Sequence, residues 1–315
     1  MAKVLRIDKR LPQTWEEALE AFLLWKKAQG RRTTTLNDYC YHVQKFLKRF
    51  PQAFEAEHAR RCVLEYMSEE MKPATFNLRL VYLRAFFDWC VKEGLFPENP
   101  LAGLKKRKDE GRVVNHDEET LRRLLALPEK KTFAGLRDCA LLLLTLDCGI
   151  RPKEAFSLLP QDINLRSLEV YVRAEAAKTK TSRTLPISPA TAAAIKELLA
   201  ARHPAWGSNV PVFCTQDGKP LNKASWGERL KLYSQRLGVK ITPYHLRHAF
   251  ALQFLRNGGH ALALQRVLGH ADLTMTKRYV ALTQQDLRQQ HALASPLNVL
   301  LPKRQRVRRV KKDED

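Results

Sequence analysis

Apolar residues in this chain recur at intervals of three and four almost everywhere, and at intervals of two in one short region only. That periodicity commits most of the sequence to amphipathic helices, each needing a neighbour to bury its stripe. In the first hundred residues, Thr14 followed by Glu17 makes a capping box, and Trp15, Leu19, Phe22 and Leu23 then form one stripe. A second helix carries Leu36, Tyr39, Val43, Phe46, Leu47 and Phe50 on one side, and a third runs near Ala59 to Met67. The fourth opens near Thr75 after Pro73 and carries Phe76, Leu80, Leu83, Phe86, Phe87 and Cys90 until Gly94 ends it. Four such helices make a small bundle over residues 12–100.

The run LFPENPLAGLKKRKDEGRVVNHDEE, with its prolines, glycines and cations, predicts a linker at 101–112 before a second domain at 113–293. That domain opens with helices near 117–127 and 135–148. The latter is nearly all apolar (CALLLLTLDC) until Gly149 interrupts it. SLEVYVRA and SRTLPIS are β-rich runs separated by EAAKTKT, which predicts a hairpin in a small sheet. Helices return near 190–202, 222–237, 243–257, 261–268 and 272–281, with a last stretch to about 293. Residues 294–315 form a C-terminal segment whose basic tail, KRQRVRRVKKDED, is expected to be disordered when free. The fold class is therefore mainly α with a small β-sheet, in two domains: a four-helix bundle, then a mixed α+β domain.

Charge narrows the partners. Lys and Arg number 55 against 33 Asp and Glu, a formal net charge of +22. Such an excess favours a polyanion, because neutralising phosphates releases condensed counterions. An anionic membrane surface competes, but it would want an amphipathic basic helix or a lipidation signal, and neither is present. No apolar run reaches the roughly 18 residues of a membrane span, and the first residues hold no export-type apolar region. The six cysteines lie far apart with no C-x-x-C, as expected of reduced, buried packing residues in a cytoplasmic protein.

Four segments of the second domain set cations or titrating groups in unusual company. In LDCGIRPKEAFSLL, Arg151 precedes a proline at a helix start, with Glu154 three residues on; a capping or ion-paired arginine would read the same way. In AKTKTSRTLPI, Lys178 and Lys180 sit at the hairpin tip, where solvated turn lysines are also common. In TPYHLRHAFALQFL, Tyr244, Arg247 and His248 fall at i, i+3 and i+4 on one helix face. In LGHADLTMTKRYVAL, His270 follows a glycine and Tyr279 lies nine positions on. A zinc site from His245, His248, His260 and His270 fits no usual ligand spacing, so no metal is expected.

These four segments, in this order, resemble the catalytic domain of the tyrosine recombinases, the phage integrase family. The matching residues are Arg151 in CGIRPKE, Lys178 in KTKTSRTLP, Arg247 in YHLRH, and His270 and Tyr279 in LGHADLTMTKRY. The resemblance implies an N-terminal core-binding bundle that clamps DNA with the catalytic domain, and a site-specific recombinase acting through a covalent 3′-phosphotyrosine. It implies catalytic Arg151, Lys178, Arg247, His270 and Tyr279, with no cofactor. Double-stranded DNA carrying a recombination site would be the partner, bound by a tetramer on two sites, with accessory DNA-bending proteins. One position departs: where most members carry His, this chain has Tyr244. Tyr244, His248 and Lys180 are further candidates for phosphate contact. A type IB topoisomerase, or a DNA-binding regulator retaining the fold without catalysis, would present much of the same pattern.

Overall fold

The structure, a computed structural model, describes residues 11–109, 116–177, 181–270, 276, 279, 288 and 291–300. The chain forms two compact units that divide between residues 111 and 112.

The first unit is built on α1 (Trp15–Ala28), α2 (Thr33–Arg49), α3 (Ala56–Ser68) and α4 (Pro73–Lys92). Thr14 caps α1 by accepting the Glu17 N–H at 3.3 Å, but the Glu17 carboxylate reaches back to the N–H of Gln13 rather than to Thr14. The predicted box is thus displaced by one residue on its return side. Pro73 itself opens α4, where a missing N–H costs nothing. A 3₁₀ turn at Pro51–Phe54 joins α2 to α3. Phe22, Phe46, Phe86 and Phe87 are fully buried, with Phe22 and Phe86 packed edge to face at 5.5 Å.

The segment after α4 is fastened to the bundle. Leu101 is wholly buried in the aromatic core, and Arg60 donates to the carbonyls of both Pro100 and Ala102 at 2.7 Å. The Asn77 side chain holds Arg107 on both sides, donating to its carbonyl (2.9 Å) and accepting its N–H (2.8 Å). Carbonyls in a proline- and glycine-rich run have no helix to pair with, so side chains of α3 and α4 satisfy them. Much of the stretch expected to be linker is therefore held by side-chain bonds up to Arg107.

The second unit contains α5 (Glu118–Ala126), α6 (Phe133–Cys148), α7 (Pro152–Ala155), α8 (Pro189–Ala200), α9 (Lys223–Leu237), α10 (Pro243–Arg256), α11 (Ala261–Leu268) and a short α12 (Leu297–Leu300). Three antiparallel strands, β1 (Ile163–Asn164), β2 (Glu169–Val172) and β3 (Arg183–Pro186), lie in the order β1-β2-β3, with Val170 opposite Leu185. The two-residue β1 is too short to leave an alternation in the sequence. α6 is the apolar axis, packed by α8 and α10. It also carries a wholly buried carboxylate, Asp138, which accepts from Arg137 (2.8 Å), Arg229 (2.7 Å) and the Tyr233 hydroxyl (2.7 Å), bolting α6 to α9. Burial, followed by the bond to Asp138, pushes the Tyr233 phenol up to about 12. Five of the six cysteines are buried as expected; Cys40 is half-buried.

Candidate active site

α6 ends at Gly149, whose φ of 61° turns the chain sharply enough to point the next helix start back toward the core. There, Arg151 caps α7 and Glu154 closes the first turn, its carboxylate accepting the Arg151 N–H at 3.1 Å. Glu154 is 1% exposed and is the keystone of the site. Its two oxygens take a two-pronged pair of bonds from Arg183 of β3, at 3.1 and 2.6 Å, and a third guanidinium bond from Arg151 at 3.0 Å. Burial pushes this carboxyl up, but the bond and charge of Arg183 and the charge of Arg151 outweigh it and hold the group below the usual carboxylate range.

The end of α11 supplies the other half. Its last carbonyls have no helical partner, and three consecutive ones are each taken by a different arginine. Arg183 Nε donates to Val267 O at 3.1 Å, Arg247 Nη2 to Leu268 O at 2.8 Å, and Arg151 Nη2 to Gly269 O at 2.9 Å. Arg247, projecting from α10, also donates through Nη1 to the Gly149 carbonyl. It is 4% exposed; burial, then the charge of Arg151, lowers it to about 10, so it stays cationic at neutral pH. The sequence-predicted arginines thus reach adjacent peptide groups from two separate elements.

His270 and Tyr279 meet the same helices. Arg247 Nη2 lies 3.2 Å from His270 Nε2 and, having only donors, makes that nitrogen the acceptor; His270 Nδ1, 2.9 Å from the Thr276 hydroxyl, then carries the proton. Thr276 is fully buried and its carbonyl accepts the Tyr279 N–H at 2.9 Å. The Tyr279 hydroxyl lies 2.5 Å from Nδ1 of His248, next to Arg247 on α10. Tyr244, one turn earlier, is half exposed and lines a groove of about 490 Å³ with Pro152, Lys153, Phe156, Asn222 and Lys223. Lys178 and Lys180 lie outside the described residues, as does most of the helix expected at 272–281.

Arg151, Arg247, His270 and Tyr279 are therefore brought together, and His248 sits on the phenol. Tyr244 faces a largely apolar groove that carries two lysines, Lys153 and Lys223. Sequence reasoning missed Arg183 and Thr276 as parts of the site; Glu154 had appeared only as an ion-pair partner. The signal for Glu154 was its spacing from Arg151, whereas nothing in SRTLPIS marks Arg183 as more than a strand-end cation.

A mixed helical domain with a cationic cluster facing a tyrosine defines a class of DNA strand-transferring enzymes, and comparison with known proteins gives the same class. The profile of the phage integrase family matches residues 115–286. The chain is 27% identical over 299 residues to tyrosine recombinase XerC of Proteus mirabilis, covering 91% of this chain and 96% of that one. Against XerC of Shewanella amazonensis it is 32% identical over 229 residues, 72% of this chain and 76% of the relative. Among solved structures, the Tn1549 transposon integrase in complex with transposon right end DNA superposes with a TM-score of 0.72 at 17% identity, covering 88% and 99% of the two chains. A lambda integrase dimer bound to a core site gives 0.69 at 17% identity, covering 83% and 97%. The chain belongs to the phage integrase family of tyrosine recombinases.

Proposed function

We propose that this recombinase opens a DNA strand with the hydroxyl of Tyr279 while Arg151 and Arg247 grip the scissile phosphate. The observation that carries the reading is the convergence of both guanidinium groups on the Leu268–Gly269 backbone, with His270 and Tyr279 reached from the same arginine-bearing helix. A phenol is a weak nucleophile at its ordinary pKa and needs cations or a base beside it. Fixed guanidinium groups remain charged at working pH and stabilise the charge that develops on the non-bridging oxygens as phosphorus becomes five-coordinate. The Tyr279 oxygen forms a bond to phosphorus and the bond to the 5′ oxygen breaks. Lys178, by its match to the family motif, protonates that leaving oxygen, with Lys180 as the neighbouring alternative. The 3′-phosphotyrosyl link keeps the energy needed to rejoin another 5′ hydroxyl, so the scheme uses neither metal nor nucleotide.

His270 joins the cradle beside Arg247, its ring held between that guanidinium and Thr276, and Tyr244 and Lys180 add contacts to flanking phosphates. The working form is a tetramer on two DNA sites in the cytoplasm, at the nucleoid, with DNA-bending proteins as accessories. No helix among the described residues is long and apolar enough to cross a membrane. The test uses a nicked duplex bearing the sequence this protein enriches from a randomised library. Wild-type protein is expected to become covalently attached to it, and Tyr279→Phe to bind it equally well without attachment. An adduct undiminished in Tyr279→Phe would refute the assignment. Two marked duplexes exchanging ends would separate strand exchange from topoisomerase-like relaxation.

A further inference from the structure

We infer that His248 is a catalytic residue of this recombinase, the acceptor of the Tyr279 proton. The inference rests on the reading of Tyr279 as nucleophile and adds what that reading lacks, a destination for the proton. Attack on phosphorus requires the phenolic O–H bond to break as the O–P bond forms, and a basic atom must already lie within hydrogen-bond reach. His248 Nδ1 is 2.5 Å from the Tyr279 oxygen, with the two ring centroids 5.5 Å apart and the planes tilted by 47°. In the neutral tautomer that carries its proton on Nε2, Nδ1 presents a lone pair to the hydroxyl.

Among the described residues, the other candidate groups at the site are committed elsewhere. His270 has its Nε2 against Arg247 and its Nδ1 against Thr276. Arg151 and Arg247 are donors only and cannot take a proton. Tyr244 lies on the same face of α10 one turn away, half exposed in its groove with Lys153 and Lys223. The helix geometry explains how one segment serves two purposes. Successive residues on α10 diverge by about 100°. Arg247 therefore turns inward to the Gly149 and Leu268 carbonyls, while His248 turns to the nucleophile.

The step balances. The Tyr279 proton passes to His248 Nδ1 to give an imidazolium, the oxygen bonds to phosphorus, and the P–O5′ bond breaks with its electron pair leaving on O5′, which takes a proton from the lysine acid. In rejoining, the incoming 5′ hydroxyl gives its proton back to the lysine and bonds to phosphorus, the P–O bond to Tyr279 breaks, and His248 returns its proton to the departing phenolate. His248 is thus base in cleavage and acid in ligation, as microscopic reversibility requires.

Two substitutions and one modified substrate test this. On the same nicked duplex, His248→Ala and His248→Asn are expected to bind like wild type but to form the covalent adduct about 10²–10⁴-fold more slowly. Asn places a hydrogen-bonding atom near the Nδ1 position without basicity, so a shared defect points to proton transfer and not to misalignment of the phenol. A duplex with sulfur in place of the bridging 5′ oxygen has a leaving group that needs no proton. It is expected to relieve a Lys178→Ala defect and leave the His248 defects in place, and added imidazole is expected to accelerate His248→Ala. Adduct formation within about threefold of wild type in His248→Ala, or relief of both His248 variants by the sulfur substrate, would overturn the inference while leaving Tyr279 as nucleophile. Absence of any adduct in wild-type protein would instead overturn the proposed function itself.

Discussion

Glu154 shows how one side chain can determine a site that it does not itself present to substrate. Its buried carboxylate faces two guanidinium groups, and removing it leaves both without their anion. Glu154→Gln is expected to cost about 3–5 kcal/mol in urea-unfolding free energy, the range seen when a buried ion pair is deprived of one partner. The pH dependence has a defined sign. Because the folded-state pKa is held below the ordinary 4.5, this stabilisation is full above that value and is lost as pH falls through the folded one. Wild-type stability should therefore fall in acid more steeply than that of Glu154→Gln, and parallel acid limbs would contradict the assignment. At this scale the sequence was informative about charge and poor about geometry. Arg151, Arg247, His270 and Tyr279 stand in motifs whose spacing survives in one dimension. Arg183 and Thr276 act through bonds made 29 residues from Glu154 and 6 from His270, with no motif to mark them.

Among the elements, helices were legible because their stripes are long, and short connectors were not because two to four residues leave no period. The corner between α6 and α7 is the most demanding piece. Gly149 sits at φ 61°, and a Cβ there would fall 2.3 Å from the Phe250 ring and 2.8 Å from Leu268. Gly149→Ala is expected to lower stability by at least about 1–3 kcal/mol, the cost of a strained left-handed residue, with the crowding of Phe250 added. A thermal midpoint equal to wild type would show that the corner relaxes freely. A second tie joins the entry to α5 with the first turn of α10. His245 Nδ1 lies 3.2 Å from His116 Nε2 and 3.1 Å from the Lys240 carbonyl, which can only accept. Burial lowers both imidazoles from the ordinary 6.5, so the unfolded chain binds protons that the folded chain resists. Stability should accordingly rise with pH from the lowered values up to about 6.5, and His116→Gln should flatten that rise in urea titrations followed by circular dichroism.

Over the whole molecule, composition spoke most clearly: a net charge of +22 pointed to a polyanion before any residue was placed. The tail from Lys303 to Lys312 carries seven of those cations. Truncation after Pro302 is expected to reduce the slope of log affinity against log salt for duplex DNA, by nearly one unit for each phosphate that the tail neutralises. An unchanged slope would show that the tail stays off the DNA. A helical bundle followed by a mixed domain was the expectation from periodicity and the proline- and cation-rich run between them; the fastening of residues 99–107 to α3 and α4 was not foreseen, since it depends on Arg60, Asn77 and Asn99 finding carbonyls in space. Three neighbouring peptide oxygens at the close of α11 give a single handle to a strand, a helix start and a helix face. Loosening any one finger of that grip shifts the other two, so paired substitutions among Arg151, Arg183 and Arg247 should hurt hardly more than the worst single one.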